Sequence, residues 1–222
     1  MTLVDRSYAP IRTYHPRRGR LSGRHFDALD RLAARYGIGD GPVQADVLEI
    51  GSGMGESTLA MATADPGRDY LAVEIHTPGV ANLLALIEQA GLTNVRVARV
   101  DGLELLKYKI KSYGLDAVHA FFPDPWPKAR HHKRRLIQPT HVALMRDRLR
   151  PGGTLHCATD DAGYALAMLE ALGADPQLRN THRGYAPRPP HRPLTKFEVR
   201  GLEAGRQIFD LVFTRRAGGA AS

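Results

Sequence analysis

An acid, an aromatic ring and a base lie close together in the segment FFPDPWPK, residues 121–128. The carboxylate of Asp124 can accept hydrogen bonds from the amino and imino edge of guanine. The indole of Trp126 can stack on an extruded base, and the ammonium group of Lys128 can neutralise a phosphate. These residue types together favour recognition of a nucleic-acid base, with Asp124 as the candidate catalytic residue.

A dense cationic run begins shortly after Lys128. It consists of Arg130, His131, His132, Lys133, Arg134 and Arg135. A solvated surface helix is one interpretation of such a run, but its position beside Asp124 and Trp126 favours contact with an RNA or DNA backbone. The two adjacent histidines have neither neighbouring cysteines nor the H-E-x-x-H pattern of zinc ligands, so we predict no metal site.

The segment 47–64 predicts a buried strand, a glycine loop and a helix. An α/β fold binds adenosine-containing ligands at such a loop. Gly51, Gly53 and Gly55 give the spacing G-x-G-x-G, whereas a dinucleotide-binding loop has its third glycine where Glu56 stands. A carboxylate at this place disfavours a pyrophosphate and tolerates a cationic ligand. The loop therefore favours S-adenosylmethionine, which carries an ammonium and a sulfonium group.

Three acids stand at the ends of successive predicted strands. They are Glu49, Glu74 and Asp101. The separation of Glu74 from the glycine loop is that at which an acid reaches a ribose diol. Asp101 could also cap a helix that begins near Leu103. Taken together, the three acids favour a cofactor pocket over separately solvated strand ends.

These residues must be positioned by an alternation of short apolar runs and longer helical patterns, which is typical of a parallel sheet covered by helices. The predicted strands are 47–50, 70–75, 95–100, 117–122, 154–158 and 208–214. The predicted helices are 23–36, 58–64, 78–91, 139–149 and 161–172. We therefore predict an α/β fold, a Rossmann-like doubly wound, mostly parallel sheet with helices on both faces.

Length and composition are those of one packed domain, with 222 residues, 43% hydrophobic and 24% charged. We expect a basic N-terminal arm over 1–22 that is mobile unless bound, one domain over 23–216 and a disordered tail over 217–222. A mitochondrial transit peptide is the alternative for the arm, weakened by poor amphipathicity and few serines. Four prolines in 185–193 predict an extended, exposed loop.

The single cysteine, Cys157, excludes an intramolecular disulfide and favours a reducing, cytoplasmic compartment. No apolar run is long enough for a membrane span, so we expect no membrane partner. The net charge of +8 is concentrated in residues 1–24, 121–135 and 175–222, while the rest of the chain is acidic. This distribution favours a polyanionic partner. No protein partner is implied, and the choice between monomer and homodimer stays open.

The sequence resembles the bacterial tRNA (guanine-N7)-methyltransferase family, a class I group that uses S-adenosylmethionine and has a Rossmann-like sheet. The resemblance covers about residues 17–215. Its motifs are LEIGSGMG at 48–55, VEIH at 73–76, Asp101, FFPDPWPKARHHKRR at 121–135, ATDD at 158–161 and TKFEVRG at 195–201. The FPDPW segment with its basic run and the TKFE segment are highly specific, whereas many methyltransferases share the glycine loop. Pro127 departs from the pattern, since many relatives have a polar residue or histidine there.

The resemblance implies methyl transfer from S-adenosylmethionine to N7 of a guanine in tRNA, in the variable loop. It implies a cofactor pocket lined by Glu49, Glu74, Asp101 and Asp124. It implies substrate contact by Lys128, Asp160, Thr195, Lys196, Phe197 and Glu198. Contact with the tRNA itself is implied for residues 130–135.

Guanine N7 carries an available lone pair, so its methylation needs no general base and depends on near-attack geometry. Asp124 is then expected to orient the base and stabilise the charge that develops on its ring, with Asp160 as a second candidate. Three alternatives stay open. An adenine methyltransferase is disfavoured because it usually has a second proline before the aromatic residue. A nicotinamide oxidoreductase is disfavoured by the glycine spacing. A non-catalytic RNA-binding module would not need the three acids.

Overall fold

The computed structural model of the chain describes residues 12–15 and 22–217. The expected arm over 1–22 lies outside the described residues except for 12–15 and Ser22, and the expected tail lies outside them after Ala217. The account below concerns the described residues alone.

Within the described residues, seven strands form one sheet. They are β1 (Val47–Ile50), β2 (Tyr70–Val73), β3 (Val95–Ala98), β4 (Leu115–Phe121), β5 (Leu149–Thr159), β6 (Leu178–Asn180) and β7 (Phe209–Arg215). The order across the sheet is β3-β2-β1-β4-β5-β7-β6. The first five strands in this order pair parallel, and β7 pairs antiparallel with β5 and β6. The predicted mostly parallel, doubly wound sheet is confirmed.

Helices cover both faces of the sheet. They are α1 (Gly23–Tyr36), α2 (Glu56–Ala64), α3 (Thr77–Ala90), α4 (Gly102–Tyr108), α5 (Pro139–Arg148), α6 (Ala162–Gly173) and α7 (Lys196–Glu203), with a 3-10 helix over Ala129–Arg134. Apolar side chains of α1, α2 and α3 form one core with the sheet, and those of α4, α5 and α6 form a second. Of the helices in the described part of the chain, none combines the length and apolarity that a membrane crossing requires.

Strand β5 begins earlier than predicted, at Leu149 rather than at residue 154. Its register with β4 shifts between Leu115 and Ala117, so the Pro-Gly-Gly segment forms an irregularity inside the strand instead of a turn before it. Gly152 has a φ of 81°, which a glycine adopts without strain.

The sequence analysis missed β6 and α7. Thr195 caps α7 by accepting a hydrogen bond from the Glu198 backbone N–H at 3.2 Å, which is the Thr-x-x-Glu signature of a helix start. That signature is present in TKFE and is the signal that could have identified the helix.

The predicted exposed loop over 185–193 is wrong at two positions. Ala186 is buried and forms a bridge with Asp210 of β7. The side chain of Arg192 is 1% exposed and is the largest of the fully buried side chains. An arginine can be buried in this way only because carboxylates surround it, as the next section describes.

Candidate active site

A cavity of about 300 Å³ opens where the parallel strands β1 to β4 end. Its lining includes Gly51, Gly53, Glu74, Asp101, Phe122 and Asp124. The volume is within the range of small-molecule sites, and the carboxyl edge of a doubly wound sheet is where such folds bind ligands. The structure therefore brings together in one cavity most of the residues predicted to bind the cofactor.

The glycine loop presents open backbone to this cavity. Gly51 and Gly53 both have positive φ, and a Cβ built on either would have no heavy atom within 4 Å. Gly55 caps α2 instead, and a Cβ there would lie 2.6 Å from a side-chain carbon of Leu83. The first two glycines thus leave room for a ligand, while the third permits close packing of α2 against α3.

Glu74 is held in the cavity by backbone donors. Its Oε2 accepts a hydrogen bond from the Gly53 N–H at 2.8 Å, and its Oε1 accepts from the N–H groups of Ile75 and His76 at 2.7 Å. A carboxylate oxygen has two lone pairs, so Oε2 retains acceptor capacity for a ribose hydroxyl.

Asp101 performs the capping role that the sequence offered as an alternative. Its Oδ1 accepts a hydrogen bond from the Leu103 N–H at 2.8 Å at the start of α4. The residue also lines the cavity, so capping and cofactor contact are geometrically compatible.

Glu49 lies beside the cavity and does not line it. Alternation along β1 turns its side chain towards α2, where it is 3% exposed and accepts a hydrogen bond from the Thr58 hydroxyl. Burial raises the pKa of Glu49 to about 7, the Thr58 hydrogen bond opposes this, and the nearby Glu74 charge adds to it. Contact between Glu49 and the cofactor stays a prediction, for a carboxyl that is buried next to the cavity wall.

Asp124 lines the cavity just after β4, and residues 13–15 line the same cavity. Its Oδ2 accepts a hydrogen bond from the His15 backbone N–H at 2.8 Å and is 3.0 Å from His15 Nδ1. The His15 ring stacks on Trp126 with 3.7 Å between centroids, and the indole N–H donates to the Thr13 carbonyl at 3.2 Å. Trp126 is 3% exposed, so a base can stack on the face that His15 covers only after His15 leaves.

The loop that carries Asp124 holds two bulky residues in the left-handed region. Phe122 has a φ of 51° and Trp126 a φ of 46°. Such a conformation is unfavourable for residues with a Cβ and persists where surrounding contacts impose it. Arg135 supplies one of these contacts, because it donates to the Pro125 carbonyl at 2.9 Å and lies 4.8 Å from the centre of the Tyr164 ring.

Arg135 is consequently buried, at 8% exposure, and its contact with tRNA stays a prediction. The remaining basic residues are arranged differently. Lys128, Arg130, His132 and Lys133 are exposed, and His131 and Arg134 are half-buried, along the 3-10 helix that follows the loop. Five of the six residues of the run therefore remain on a surface next to the cavity.

Several predicted substrate residues meet at the rim of the cavity. The Phe197 side chain is 50% exposed, and its ring lies 5.2 Å from the ring of Phe122. Arg206 lies 5.6 Å from the Phe197 ring and pairs with Asp160 at 3.0 Å. Lys196 begins α7, but its side chain lies outside the described part of the structure.

Glu198 points the other way and is 2% exposed. Its Oε1 accepts from Arg192 at 2.8 Å, and Arg192 also donates to both carboxylate oxygens of Asp210 at 2.6 and 2.9 Å. Two carboxylates and one guanidinium thus form a buried, bidentate network. The charge of Glu198 fastens α7 and the preceding loop to β7, and its contact with substrate stays a prediction.

Sequence reasoning missed Arg192, Asp210 and His15 altogether. Arg192 and Asp210 are distant in sequence and have no shared motif. His15 belongs to the expected arm, and only the structure reveals its contact with Asp124.

Comparison with solved structures supports the class of fold. The 16S rRNA methyltransferase KamB matches with a TM-score of 0.55 and 17% identity, covering 93% of this chain and 99% of that one. TrmN from Thermus thermophilus matches with the same TM-score and identity, covering 86% of this chain and 48% of that one. The sheet order and these matches together define the class I methyltransferase fold.

Sequence comparison then gives the family. The family model described as "Putative methyltransferase" matches residues 43–211. A tRNA (guanine-N(7)-)-methyltransferase of Paraburkholderia xenovorans is 50% identical, over 94% of this chain and 85% of that protein. The enzyme of the same name from Nitrosospira multiformis is 48% identical, over 97% of this chain and all of that protein. The chain belongs to the tRNA (guanine-N7)-methyltransferase family, and the predicted resemblance is confirmed.

Replacing Glu49 by glutamine should change how stability depends on pH. The folded-state pKa of about 7 exceeds the ordinary 4.5, so between these values the folded chain binds more protons than the unfolded chain. The contribution of this carboxyl to the free energy of unfolding therefore falls by about 3 kcal/mol as the pH rises from 4.5 to 7. Above pH 7 this contribution is constant. Relative to wild type, the free energy of unfolding of Glu49→Gln should rise by that amount across this range in urea titrations. The exposed Glu170→Gln is the control, and equal pH profiles for both variants would contradict the assignment.

Glu198→Gln should destabilise the protein while leaving the rim of the cavity in place. Removing one carboxylate leaves the buried Arg192 undercompensated, so we expect a loss of about 3 kcal/mol in the free energy of unfolding. The neighbouring Phe197→Ala, at a half-exposed position on the same helix, should lose less than about 1 kcal/mol. Urea unfolding of both variants checks this, and a Glu198→Gln protein as stable as wild type would show that the ion pair is not structural.

Proposed function

We propose that this chain transfers the methyl group of S-adenosylmethionine to N7 of a guanine in the variable loop of tRNA, in the cytoplasm. One observation carries the proposal: Glu74, Asp101 and Asp124 share a single cavity whose rim continues into an exposed basic helix. Family membership supports it, because the curated relatives are named tRNA (guanine-N(7)-)-methyltransferases.

The residues of the cavity fit S-adenosylmethionine. Glu74 offers a carboxylate to a ribose diol, and Gly51 and Gly53 leave open space beside the backbone. The acidic lining suits a ligand that carries positive charge and disfavours a pyrophosphate. When bound, this ligand supplies an electrophilic methyl group on its sulfonium.

Asp124 is the residue to which we assign the orientation of the guanine. Its carboxylate can accept from the N1–H and the exocyclic amino group, which fixes the base edge while N7 presents its own lone pair. In the described structure the His15 N–H occupies Oδ2 of this carboxylate. The base would take the place of His15 both at Asp124 and on the face of Trp126.

Charge is the second contribution of Asp124. Methylation at N7 leaves the guanine ring cationic, and a fixed carboxylate at its edge stabilises the charge as it develops. Asp160, paired with Arg206 next to the Phe197 ring, is the second candidate for a carboxylate near the base. No residue is required to remove a proton before attack.

The basic helix holds the tRNA backbone. Lys128, Arg130 and Lys133 are exposed next to the loop that carries Asp124, so a phosphate bound there places its nucleotide near the cavity. Phosphate contacts position a nucleic acid without reading its sequence. Recognition of the guanine then rests on the cavity and its rim.

Asp124→Asn should reduce turnover by about 100-fold or more, since the amide cannot accept from both guanine donors or stabilise the cationic ring. Single-turnover methylation of tRNA measures this, with tRNA affinity and thermal unfolding expected to stay at the wild-type level. Asp40→Asn, at an exposed residue that does not line the cavity, is the matched control. Full turnover of Asp124→Asn would remove Asp124 from the mechanism.

Lys133→Ala should weaken tRNA binding and reduce its dependence on salt. Loss of one phosphate contact lowers the slope of log affinity against log salt by about 0.7 to 0.9. Lys111→Ala, an exposed lysine before the amino end of β4, carries the same charge change at the opposite edge of the sheet and should leave the slope unchanged. Binding measured over a salt series distinguishes the two, and equal slopes for both variants would argue against the basic helix as the tRNA surface.

A further inference from the structure

Three histidines from distant parts of the chain meet beside the candidate active site. His119 lies on β4, His156 lies opposite it on β5, and His191 lies in the loop before α7. One ring nitrogen from each lies within 4.8 Å of the other two. The distance between His156 Nδ1 and His191 Nε2 is 3.1 Å.

The hydrogen bonds of His156 leave one nitrogen directed at this meeting point. Its Nε2 lies 2.7 Å from Oδ1 of Asp210, and a carboxylate that is itself paired with Arg192 can only accept. His156 therefore carries its proton on Nε2 and offers a lone pair at Nδ1. A histidine that donates its other N–H to a carboxylate is the usual arrangement of a metal ligand.

His119 provides a second, independent indication. It is 4% exposed, and within the described structure its Nδ1 has no hydrogen-bond partner. A buried polar atom without a partner is destabilising by about 1 to 3 kcal/mol, and proteins rarely keep one without a reason. A cation bound among the three rings would give the buried His119 ring a polar partner.

The three rings are electrically suited to a cation. Burial and the neighbouring imidazoles hold the pKa of His119 well below its ordinary value. Partial desolvation of the ring and the neighbouring His156 lower the pKa of His191 to about 4. Burial also lowers the pKa of His156 against the opposing effect of Asp210. The rings are thus neutral near pH 7, which is the form that binds metals.

We propose that His119, His156 and His191 bind a divalent transition-metal ion, with Zn²⁺ as the best-suited ion and one coordination position left open. Three imidazoles suit Zn²⁺, and the 3.1 Å between two of the nitrogens is close to the separation imposed by bonds of about 2.0 to 2.1 Å to a tetrahedral ion. His191 is exposed, so it provides the route of entry. Without metal, His191 donates to His156, and on binding it takes the tautomer protonated at Nδ1.

The ion would fasten the loop that carries His191 and Arg192 to the sheet beneath the cavity. The rings of His119 and His156 lie 5.1 and 4.9 Å from Phe121, which lines the cavity. The expected role is therefore stabilisation of the rim, independent of the methyl-transfer chemistry. The site escaped the sequence analysis because its ligands are more than thirty residues apart and form no local motif.

Untagged protein stripped with a chelator and titrated with Zn²⁺ in a calorimeter tests the proposal, with Co²⁺ absorption as a second probe of tetrahedral nitrogen ligation. We expect one equivalent of Zn²⁺, and in His191→Ala an affinity lower by about 10- to 100-fold or more. Because His191 is exposed, this variant should fold normally. The exposed His182→Ala, outside the cluster, should bind as wild type does.

Hydrogen exchange provides a readout that does not depend on activity. Zn²⁺ should slow exchange of the backbone amides in 185–193 in the wild type and in His182→Ala, but not in His191→Ala. Absence of saturable binding, or equal binding by wild type and His191→Ala, would overturn the proposal. Equal losses in both histidine variants would also overturn it, since they would indicate nonspecific binding to surface histidines.

Discussion

Parallel pairing of β1 with β2 and β4, and of β2 with β3, sets the positions of the strand ends that line the cavity. The register matches Ile50 with Val73 and Val73 with Ala98, so these strands end side by side. The glycine loop, Glu74, Asp101 and Asp124 all follow strand ends at this edge. Because strand side chains alternate, a slip of one residue would exchange the faces of β1 and direct Glu49 instead of Ile50 into the cavity. A single register therefore determines which acids the ligand meets.

On the side of the sheet that contains β7, buried charged residues hold the neighbouring elements in place. Arg192 joins Glu198 and Asp210, and this network ties α7 and the preceding loop to β7. With Glu198 directed inwards, its neighbour Phe197 is left at the rim of the cavity, half-exposed and in contact with Phe122. Asp210 also accepts from His156, so the proposed metal site and the substrate rim share one anchoring carboxylate. The 3-10 helix with the exposed basic residues is also held by a buried arginine. Arg135, which follows this helix, donates to the Pro125 carbonyl in the loop that carries Asp124.

Most strands and most helices could be predicted, because buried apolar runs and helix caps are local signals. The glycine loop, Glu74, Asp101 and Asp124 could be predicted as well, since a doubly wound sheet brings its strand ends to one edge. The burial of Glu198, Arg135 and Arg192 could not be predicted, because charged residues are usually exposed and their burial depends on tertiary partners. The contact of His15 with Asp124 and the cluster of three histidines could not be predicted for the same reason. Both arise from tertiary packing, and no spacing in the sequence indicates them.

The central claim is that one cavity joins the cofactor acids to a guanine site. Incubation with methyl-labelled S-adenosylmethionine and unmodified tRNA, followed by cleavage into fragments and then nucleosides, tests this most directly. The account predicts label in 7-methylguanosine, recovered from the fragment that contains the variable loop. Label in N6-methyladenosine, or tight tRNA binding without any label, would contradict it, the first by changing the reaction and the second by leaving only an RNA-binding protein.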